Sequence, residues 1–546
     1  MNIAVLVSSF RQLLDKQQFD EARRMVDEEH SLTERERISF YFELAQVQPG
    51  SVFSIRFYVQ QSERESDNPL WSEKLAETYA SNNEIFKAVE VLETFNQRHP
   101  NNHNILFNIA WYAEGCGDYG KAIHFYKLCL EKNIEQPEEV HLKLAVIYTD
   151  HYLDKLMALK HYREALSLSP GYKAGLFDYG GFLQKTGDYP AAKRTFESLL
   201  SSQEYKKRAL ARLVEFPGDH QSADIARLAN QVSSHFVSPG AFKDNDDVDL
   251  VYAVARWFDS RNDYDTASRL IVQANNADLA LFHSHIRSIK ECHRKRLSGI
   301  QAWHKIYCKI PQNPVSELDD VSPVFICGPF RSGSTLLEKQ LSAHPLLCSG
   351  GEIDHFFKFS PLVCGGFPPA AEITSESIDR IRRTYLERLD ALRTTGNATV
   401  LDKRPDNIEK IGFIKALFPR ARFICTGRNH KDIATSLLFN RFGPAMSYSL
   451  TTETALDYLD RQQSLLSYWQ TLYEEDILTV SYEDLVANQA DTVNTVLKWL
   501  GLDPATCNSG SDDNGIITTA SMEQVRRPLH NRSVGRWKHY SELFGN

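Results

Sequence analysis

The chain has 546 residues and a mass of 62.4 kDa, more than one hydrophobic core usually serves, so we expect at least two domains. Hydrophobic residues make up 42% of the chain and charged residues 24%, which excludes wholesale disorder, collagen-like sequence and a membrane-embedded bundle. The net charge of -9 argues against binding of nucleic acid by bulk electrostatics.

Signals for export and for metal binding are missing from the sequence. The apolar run at residues 3–7 is shorter than a signal-peptide core, and no stretch of about 18 apolar residues follows elsewhere. The nine cysteines include no pair in the CxxC spacing of a zinc or redox site. We therefore expect a cytoplasmic protein with reduced thiols, no membrane span and no structural metal.

A repeat of small residues runs through the first half of the chain. They recur at Ala76, Ala110, Ala145 and Gly180, spaced by 34, 35 and 35 residues. A second small residue follows after 12 or 13 positions, and a bulky residue comes four positions later: Ala88, Ala122, Ala158 and Ala192, then Leu92, Tyr126, Tyr162 and Phe196. Small residues let the two helices of a hairpin approach closely, and large ones fill the gap to the next hairpin. The spacing predicts a helical solenoid over residues 1 to about 310.

This part resembles the tetratricopeptide repeat family. Such solenoids usually bind protein segments in their concave face, so we expect a protein or peptide partner there, the acceptor of a reaction included. The alternative is that the array only supports the following domain. The sequence leaves the oligomeric state open, homo-oligomers included.

A phosphate-binding loop follows a polar linker at residues 311–314. The apolar strand at 324–327 runs into Gly-Pro-Phe-Arg-Ser-Gly-Ser-Thr at 328–335, and an apolar helix comes next. The nucleoside triphosphate pattern requires a lysine after the second glycine, but this chain has Ser334 there and carries its cation at Arg331. The strand at 422–426 likewise leads to Arg428 and not to a metal-binding aspartate. The loop therefore fits a nucleotide whose phosphates the protein itself neutralises.

From these residues onward the chain resembles the sulfotransferases that use 3′-phosphoadenosine 5′-phosphosulfate (PAPS), in particular the protein-tyrosine sulfotransferase branch and its bacterial tetratricopeptide-fused relatives. The segments that carry the resemblance are, in order, 331–335, 349–352, 402–405, 428–436, 482–485, 521–528 and 533–537. The implied architecture is an N-terminal all-α tetratricopeptide solenoid at 1–310, followed at 320–546 by a three-layer α/β, P-loop-like sulfotransferase domain with a parallel sheet.

The resemblance implies a set of residues that hold the nucleotide. Those expected at the 5′-phosphosulfate are Arg331, Ser332, Gly333, Ser334 and Thr335. Those expected at the 3′-phosphate are Arg428 and Ser436. The remaining contacts are expected from Tyr482 at the adenine, from Gln524 and Arg527 in the segment that wraps the nucleotide, and from Arg536, where the family carries a lysine.

It also implies the catalytic residues. Glu352 occupies the place of the general base, with His355 as the alternative, and Arg331 at the phosphosulfate acts in the transfer as well. Lys403 and Ser521 would stabilise the charge that develops in the transition state. Arg404 stands where a smaller residue is expected, so which of the two neighbouring cations points inward stays open.

The sequence thus predicts an enzyme that moves a sulfuryl group from PAPS to an acceptor hydroxyl, without a metal, and releases adenosine 3′,5′-bisphosphate. A tyrosine in a protein fits the nearest resemblance, whereas carbohydrates and small hydroxylated molecules stay open as acceptors. The rival hypotheses are a tetratricopeptide scaffold that senses the nucleotide without catalysis and a P-loop kinase.

Overall fold

The structure is a computed structural model. It describes residues 3–82, 84–216, 223–282, 299–302, 304–305, 321–359, 375–393, 396, 398–506, 515–519, 526 and 532–545. The chain forms two compact units, Met1–Leu144 and Ala145–Asn546, so that the later helices of the array and the sheet domain share one unit.

Antiparallel helical hairpins make up the first half of the chain. Their helices are α1 (Ile3–Asp15), α2 (Phe19–Glu28), α3 (Glu34–Val47), α4 (Val52–Arg64), α5 (Pro69–Ser81), α6 (Ile85–Arg98), α7 (His103–Cys116), α8 (Tyr119–Glu131), α9 (Pro137–Asp150), α10 (Lys155–Leu168), α11 (Lys173–Lys185), α12 (Tyr189–Ser198), α13 (Lys206–Val214), α14 (Ala223–His235), α15 (Asn245–Ser260) and α16 (Tyr264–Leu281).

The repeat residues lie in the contacts between these helices. Ala76, Ala110 and Ala145 are all 0% exposed. Gly180 is buried too, and a Cβ atom there would lie 2.8 Å from the ring of Phe196. Close approach of the two helices therefore requires these small side chains, which confirms the predicted helical repeat.

The turns inside the hairpins repeat one local solution. Gly117 and Gly187 adopt left-handed φ angles of 84° and 83°, which end the first helix of their hairpins. The next residue, Asp118 or Asp188, accepts a hydrogen bond from the third backbone N–H of the following helix, at 3.0 and 3.1 Å. Asp263 caps α16 in the same way.

Five parallel strands form one sheet in the order β2-β3-β1-β4-β5. The strands are β1 (Val324–Cys327), β2 (Leu347–Ser349), β3 (Thr399–Lys403), β4 (Arg422–Gly427) and β5 (Ile477–Ser481). In the centre of the sheet Val324 of β1 pairs with Leu401 of β3 on one side and with Arg422 of β4 on the other. The chain therefore switches direction across the sheet at β1, the place where open α/β sheets build their binding sites.

Helices and short 3-10 segments connect the strands. The helices are α17 (Ser334–Leu341), α18 (His355–Phe359), α19 (Ser375–Leu392), α20 (Ile411–Leu417), α21 (His430–Leu438), α22 (Thr452–Leu472), α23 (Tyr482–Ala487) and α24 (Gln489–Trp499). The 3-10 segments in this half are Pro405–Lys410, Pro444–Leu450, Glu474–Asp476, Pro504–Thr506 and Arg536–Phe544, and two shorter ones in the array are Leu199–Ser201 and Pro239–Ala241.

Both faces of the sheet are buried, as the apolar strands require. One face packs Phe325 and Phe423 against Tyr385 of α19 and Trp469 of α22. The opposite face packs residues such as Ile326 against α17, α23 and α24. The domain is thus a three-layer α/β fold with a parallel sheet, as predicted.

The last hairpin of the array shares a core with the sheet domain. One buried cluster joins side chains of α13–α16 to Leu438, Phe439 and Tyr540. Within the described part of the chain, no helix combines the length and the apolar character that crossing a membrane demands.

We expect opposite effects from alanine at two neighbouring glycines of α11. Gly180→Ala forces a methyl group against the Phe196 ring and should destabilise the protein by about 1 to 2 kcal/mol, the usual cost of overpacking. Gly181→Ala meets no atom within 4 Å and should stabilise it by about 0.5 to 1 kcal/mol, because alanine favours the helix. Thermal unfolding of both variants measures this, and shifts of the same sign would contradict the packing described here.

Candidate functional site

The carboxyl ends of all five strands meet at one edge of the sheet, and each leads directly into a segment that the sequence singled out. These segments are the loop 328–333 after β1, 350–352 after β2, Lys403 at the end of β3, Arg428 after β4 and Tyr482 after β5. Parallel strand order therefore collects motifs that are up to about 150 residues apart in sequence.

The phosphate loop depends on its two glycines. Gly328 has a φ angle of 132°, and a Cβ atom there would lie 2.4 Å from the carbonyl oxygen of Thr426. Gly333 has a φ angle of 98°, and a Cβ atom there would lie 2.5 Å from the ring of Tyr482. Arg331 also adopts a positive φ, 70°, a conformation that costs energy in a residue with a side chain and that is concentrated at functional sites.

The loop hydroxyls are engaged within the protein. Ser332 donates a hydrogen bond to the Pro329 carbonyl at 2.6 Å and shares another with Thr426 Oγ1 at 2.6 Å. Thr335 Oγ1 donates to Thr519 Oγ1 at 3.3 Å. Ser334, which begins α17, is buried. Ser332 is 0% exposed, so its hydroxyl is enclosed by its two partners.

Several guanidinium groups converge beside the loop. The Nε of Arg331 donates to Ser436 Oγ at 2.9 Å, so the structure brings these two predicted residues together. Burial, and then the like charges of Arg428, Arg536 and Arg256, lower the pKa of Arg331 to about 10. A cation whose charge the surroundings oppose is stabilised by an anion, which is what a phosphate site requires.

Arg428 completes the contact with the loop. Its Nη1 donates to the Arg331 carbonyl at 3.2 Å, its Nη2 donates to the Ser533 carbonyl, and the guanidinium lies 4.6 Å from the centre of the Tyr482 ring. Its Nε is buried and meets no hydrogen-bond acceptor among the described residues. Burial also lowers the pKa of Arg428. This side chain is therefore part of the site and not a solvated surface charge.

Arg536 faces the helical array. Its Nη2 lies 3.0 Å from Asp259 Oδ2 on α15, and the guanidinium covers the ring of Phe439 at 4.7 Å. Asp259 also accepts a hydrogen bond from the hydroxyl of Tyr540. The residue expected at the phosphates is thus near enough to Arg331 to affect its pKa while an array carboxylate holds it.

The candidate base and the candidate stabilising cation form an ion pair. Glu352 Oε1 lies 2.8 Å from the Nζ of Lys403, whose side chain is 0% exposed, whereas that of Glu352 is 32% exposed. The neighbouring cation turns elsewhere, because Arg404 Nε lies 2.7 Å from Asp406 Oδ1. Of the two neighbouring cations, Lys403 is therefore the one that pairs with Glu352.

A buried carboxylate that the sequence analysis overlooked supports this pair. Glu338 of α17 accepts hydrogen bonds from Ser349 Oγ at 2.6 Å and from the Gly351 N–H at 2.9 Å. Burial raises the pKa of Glu338, while Lys403 acts in the opposite direction. Glu338 thus ties the segment that carries Glu352 to the first turns of the helix after the phosphate loop.

His355, the alternative base, lies in the core. Its Nε2 donates to the Ile381 carbonyl at 3.0 Å, and the ring packs beside Phe356 and Tyr385. Burial lowers the pKa of His355 to about 4. Its position suits a neutral core histidine.

The C-terminal segment is held against the helix that follows Arg428. Asp432, in the first turn of α21, accepts hydrogen bonds from the N–H groups of Gly535 at 2.7 Å and Trp537 at 2.9 Å. This carboxylate places Arg536, which lies between them. Ser521, Gln524 and Arg527 lie outside the described residues.

Sequence reasoning missed Glu338, Asp432, Arg256 and Asp259. The signal for Glu338 was a carboxylate among the buried positions Leu337 and Leu341 of an amphipathic helix. No local signal marked the array residues, because their partners lie far along the chain. No group of three or more His, Cys, Asp or Glu side chains within the described ranges is placed to hold a metal ion.

Loss of the Asp432 carboxylate should release the C-terminal segment. Asp432→Ala leaves two partly buried N–H groups without their acceptor, so trypsin should cleave after Arg536 or Lys538 at least about tenfold faster. The matched control is Asp460→Ala, which removes an exposed carboxylate from the neighbouring helix α22. Mass spectrometry of the fragments measures the cleavage rate at these sites. Equal rates in both variants would contradict this role of Asp432.

Comparison with known proteins supports one assignment. Residues 367–506 match the family model described as the sulfotransferase family, a range that includes Lys403, Arg428, Ser436 and Tyr482. An uncharacterized protein of Aquifex aeolicus (strain VF5) is 24% identical over 246 residues, which are 40% of this chain. The matched region spans 31% of the length of that curated relative.

Solved structures with similarity include sulfotransferases and a repeat protein. The sulfotransferase domain of the Synechococcus PCC 7002 olefin synthase is 20% identical and has a TM-score of 0.31, covering 42% of this chain and 91% of that one. A sulfotransferase of Mycobacterium tuberculosis H37Rv is 14% identical with a TM-score of 0.24, covering 63% and 99%. The TPR domain of P58(IPK) is 17% identical with a TM-score of 0.18, covering 50% and 74%. The family match thus lies within the part of the chain that forms the parallel sheet, from before β3 to the end of the segment after β5.

Proposed function

We propose that this protein is a PAPS-dependent sulfotransferase in which residues 1 to about 310 form a tetratricopeptide-like array and residues 320–546 form the transferase domain. The observation that carries the proposal is the pairing, at one sheet edge, of an arginine-lined phosphate loop with the Glu352–Lys403 ion pair. The match of residues 367–506 to the sulfotransferase family supports it.

The nucleotide would be held by guanidinium groups and not by a metal. Arg331 and the backbone of its loop suit the 5′-phosphosulfate, while Arg428 and Ser436 suit the 3′-phosphate. The fit is supported by the buried Nε of Arg428 and by the lowered pKa of Arg331, since both would be stabilised by an anion. Tyr482, whose ring centre lies 4.6 Å from the Arg428 guanidinium, is proposed to contact the adenine.

The remaining residues would manage the proton and the developing charge. The nucleotide supplies the sulfuryl group, and the acceptor hydroxyl forms the new S–O bond. Glu352 takes the proton that this hydroxyl loses, and its partial exposure leaves it open to an acceptor. Lys403 stabilises the negative charge on the phosphate oxygen that keeps the electron pair of the broken S–O bond. Ser521 is proposed to share that role.

The acceptor is proposed to be a tyrosine hydroxyl in a protein segment. A Cβ atom on Gly351, next to the base, would lie 3.6 Å from Leu153 Cδ1 in the turn before α10, so the array borders the segment that carries the base. An acceptor bound along the array could therefore reach Glu352. Carbohydrate or small hydroxylated acceptors are the alternative, and transfer to these by the unaltered protein without transfer to tyrosine peptides would favour them.

The test of the proposal is transfer of 35S-labelled sulfate from PAPS to tyrosine peptides in EDTA. Glu352→Gln should lower turnover by about 100-fold or more, because the proton loses its acceptor, while the affinity for adenosine 3′,5′-bisphosphate changes less than about twofold. His355→Gln should lower thermal stability but not the turnover of the folded protein. Full activity of Glu352→Gln together with loss of activity in His355→Gln would reverse the assignment of the base.

A nucleotide-sensing scaffold predicts a different outcome. Binding of adenosine 3′,5′-bisphosphate without transfer to any phenolic, peptide or carbohydrate hydroxyl would support it and contradict the enzyme. Turnover that depends on magnesium and ATP would support a kinase instead.

A further inference from the structure

The helix that carries Ser436 begins at the nucleotide site and ends on the helical array. Helix α21 (His430–Leu438) starts two residues after Arg428, and Ser436 lies in its last turn. The final carbonyl groups of a helix have no partner within it and need donors from elsewhere. The side chains of Phe439 and Leu438 are buried in the cluster shared with the array, so solvent is a poor source of such donors here.

Asn440 Nδ2 donates to the Ser436 carbonyl at 2.6 Å, and the last hairpin of the array, α15–α16, supplies donors for the carbonyls of Leu438 and Phe439. Arg256 Nη1 on α15 donates to the Phe439 carbonyl at 2.7 Å, and Asn275 Nδ2 on α16 approaches the Leu438 carbonyl at 3.4 Å. Just beyond, Arg441 Nη2 lies 2.7 Å from Asp278 Oδ1 of the same hairpin. The hairpin thus grips the end of α21 from two helices.

Arg256 is itself fixed and lies within the electrostatic reach of the nucleotide site. Its Nε donates to Glu215 Oε1 at 2.7 Å, which holds the guanidinium in one orientation. Its charge is among those that lower the pKa of Arg331, after burial and the charges of Arg428 and Arg536. Arg256 therefore affects the site both through helix α21 and through its field.

We propose that Arg256 is a positioning residue for recognition of the 3′-phosphate, and that the α15–α16 hairpin is part of the nucleotide site and not a separable binding module. By holding the carbonyl end of α21, Arg256 fixes Ser436 against Arg331. The inference rests on the proposed function, because it assigns to Arg428 and Ser436 the 3′-phosphate of an adenosine nucleotide.

Arg256→Lys tests this in the full chain. Lysine keeps the charge but cannot reach Glu215 and Phe439 with a fixed fork, so Ser436 should lose its fixed position. The matched control is Arg269→Lys in the same hairpin, since the Arg269 guanidinium donates to Ser233 within the array, at 2.6 Å to its Oγ. Calorimetric titration with adenosine 3′,5′-bisphosphate and with 5′-AMP gives a dissociation constant for each. The constant for 5′-AMP divided by that for adenosine 3′,5′-bisphosphate reports the contribution of the 3′-phosphate.

We expect that ratio to fall about tenfold in Arg256→Lys and to stay unchanged in Arg269→Lys, a loss typical of one charge-assisted hydrogen bond. General destabilisation would weaken the binding of both ligands together and leave the ratio constant, which would overturn the inference.

If Arg256→Lys does not fold, Asn275→Ala replaces it. We then expect a smaller fall in the same ratio, and no fall would contradict the proposal. If the unaltered protein does not prefer adenosine 3′,5′-bisphosphate over 5′-AMP, the proposed function fails and the inference with it. If the unaltered protein prefers adenosine 3′,5′-bisphosphate over 5′-AMP and Arg256→Lys keeps that preference as fully as Arg269→Lys does, the inference fails while the proposed function stands.

Discussion

Burial of neighbouring positive charges is the constraint around which the site is built. Burial, and then the like charges of Arg428 and Arg536, lower the pKa of Arg331 to about 10. Each is fixed by a different part of the protein: Arg331 by Ser436, Arg428 by backbone carbonyls, and Arg536 by Asp259. A bound anion stabilises neighbouring cations that repel one another. Because the protein already holds these side chains in place, little conformational entropy is lost when the anion binds.

The frame draws on both parts of the chain. Parallel strand order brings the loop, Lys403, Arg428 and Tyr482 to one edge, but it leaves the far end of α21 and the C-terminal segment without support. The α15–α16 hairpin supplies it through Arg256 and Asp259. Helical arrays are often regarded as independent binding modules, whereas here the last hairpin shares a hydrophobic core with the domain that it follows.

Features with a regular period or a local backbone requirement could be predicted from the sequence. The spacing of small residues predicted the hairpins, and the two glycines predicted the loop after β1, because both patterns follow from how closely neighbouring backbone segments can approach. The Asp259–Arg536 contact joins residues more than 250 positions apart and leaves no periodic trace. His355 and Glu352 could not be ranked by spacing, since one enters the aromatic core and the other reaches Lys403 only after β2 and β3 pair. The sequence left open whether Lys403 or Arg404 points inward. In the structure Arg404 pairs with Asp406, a residue to which the sequence analysis assigned no role.

The central claim is that guanidinium groups, and no metal, hold a doubly phosphorylated nucleotide at this sheet edge. Calorimetric titration of the unaltered protein with adenosine 3′,5′-bisphosphate and with ATP, each in EDTA and in excess magnesium, tests it most directly. We predict binding of adenosine 3′,5′-bisphosphate with a dissociation constant of about 1 to 10 µM that is the same in EDTA and in magnesium, and much weaker binding of ATP. A requirement for magnesium, or a preference for ATP, would contradict the account.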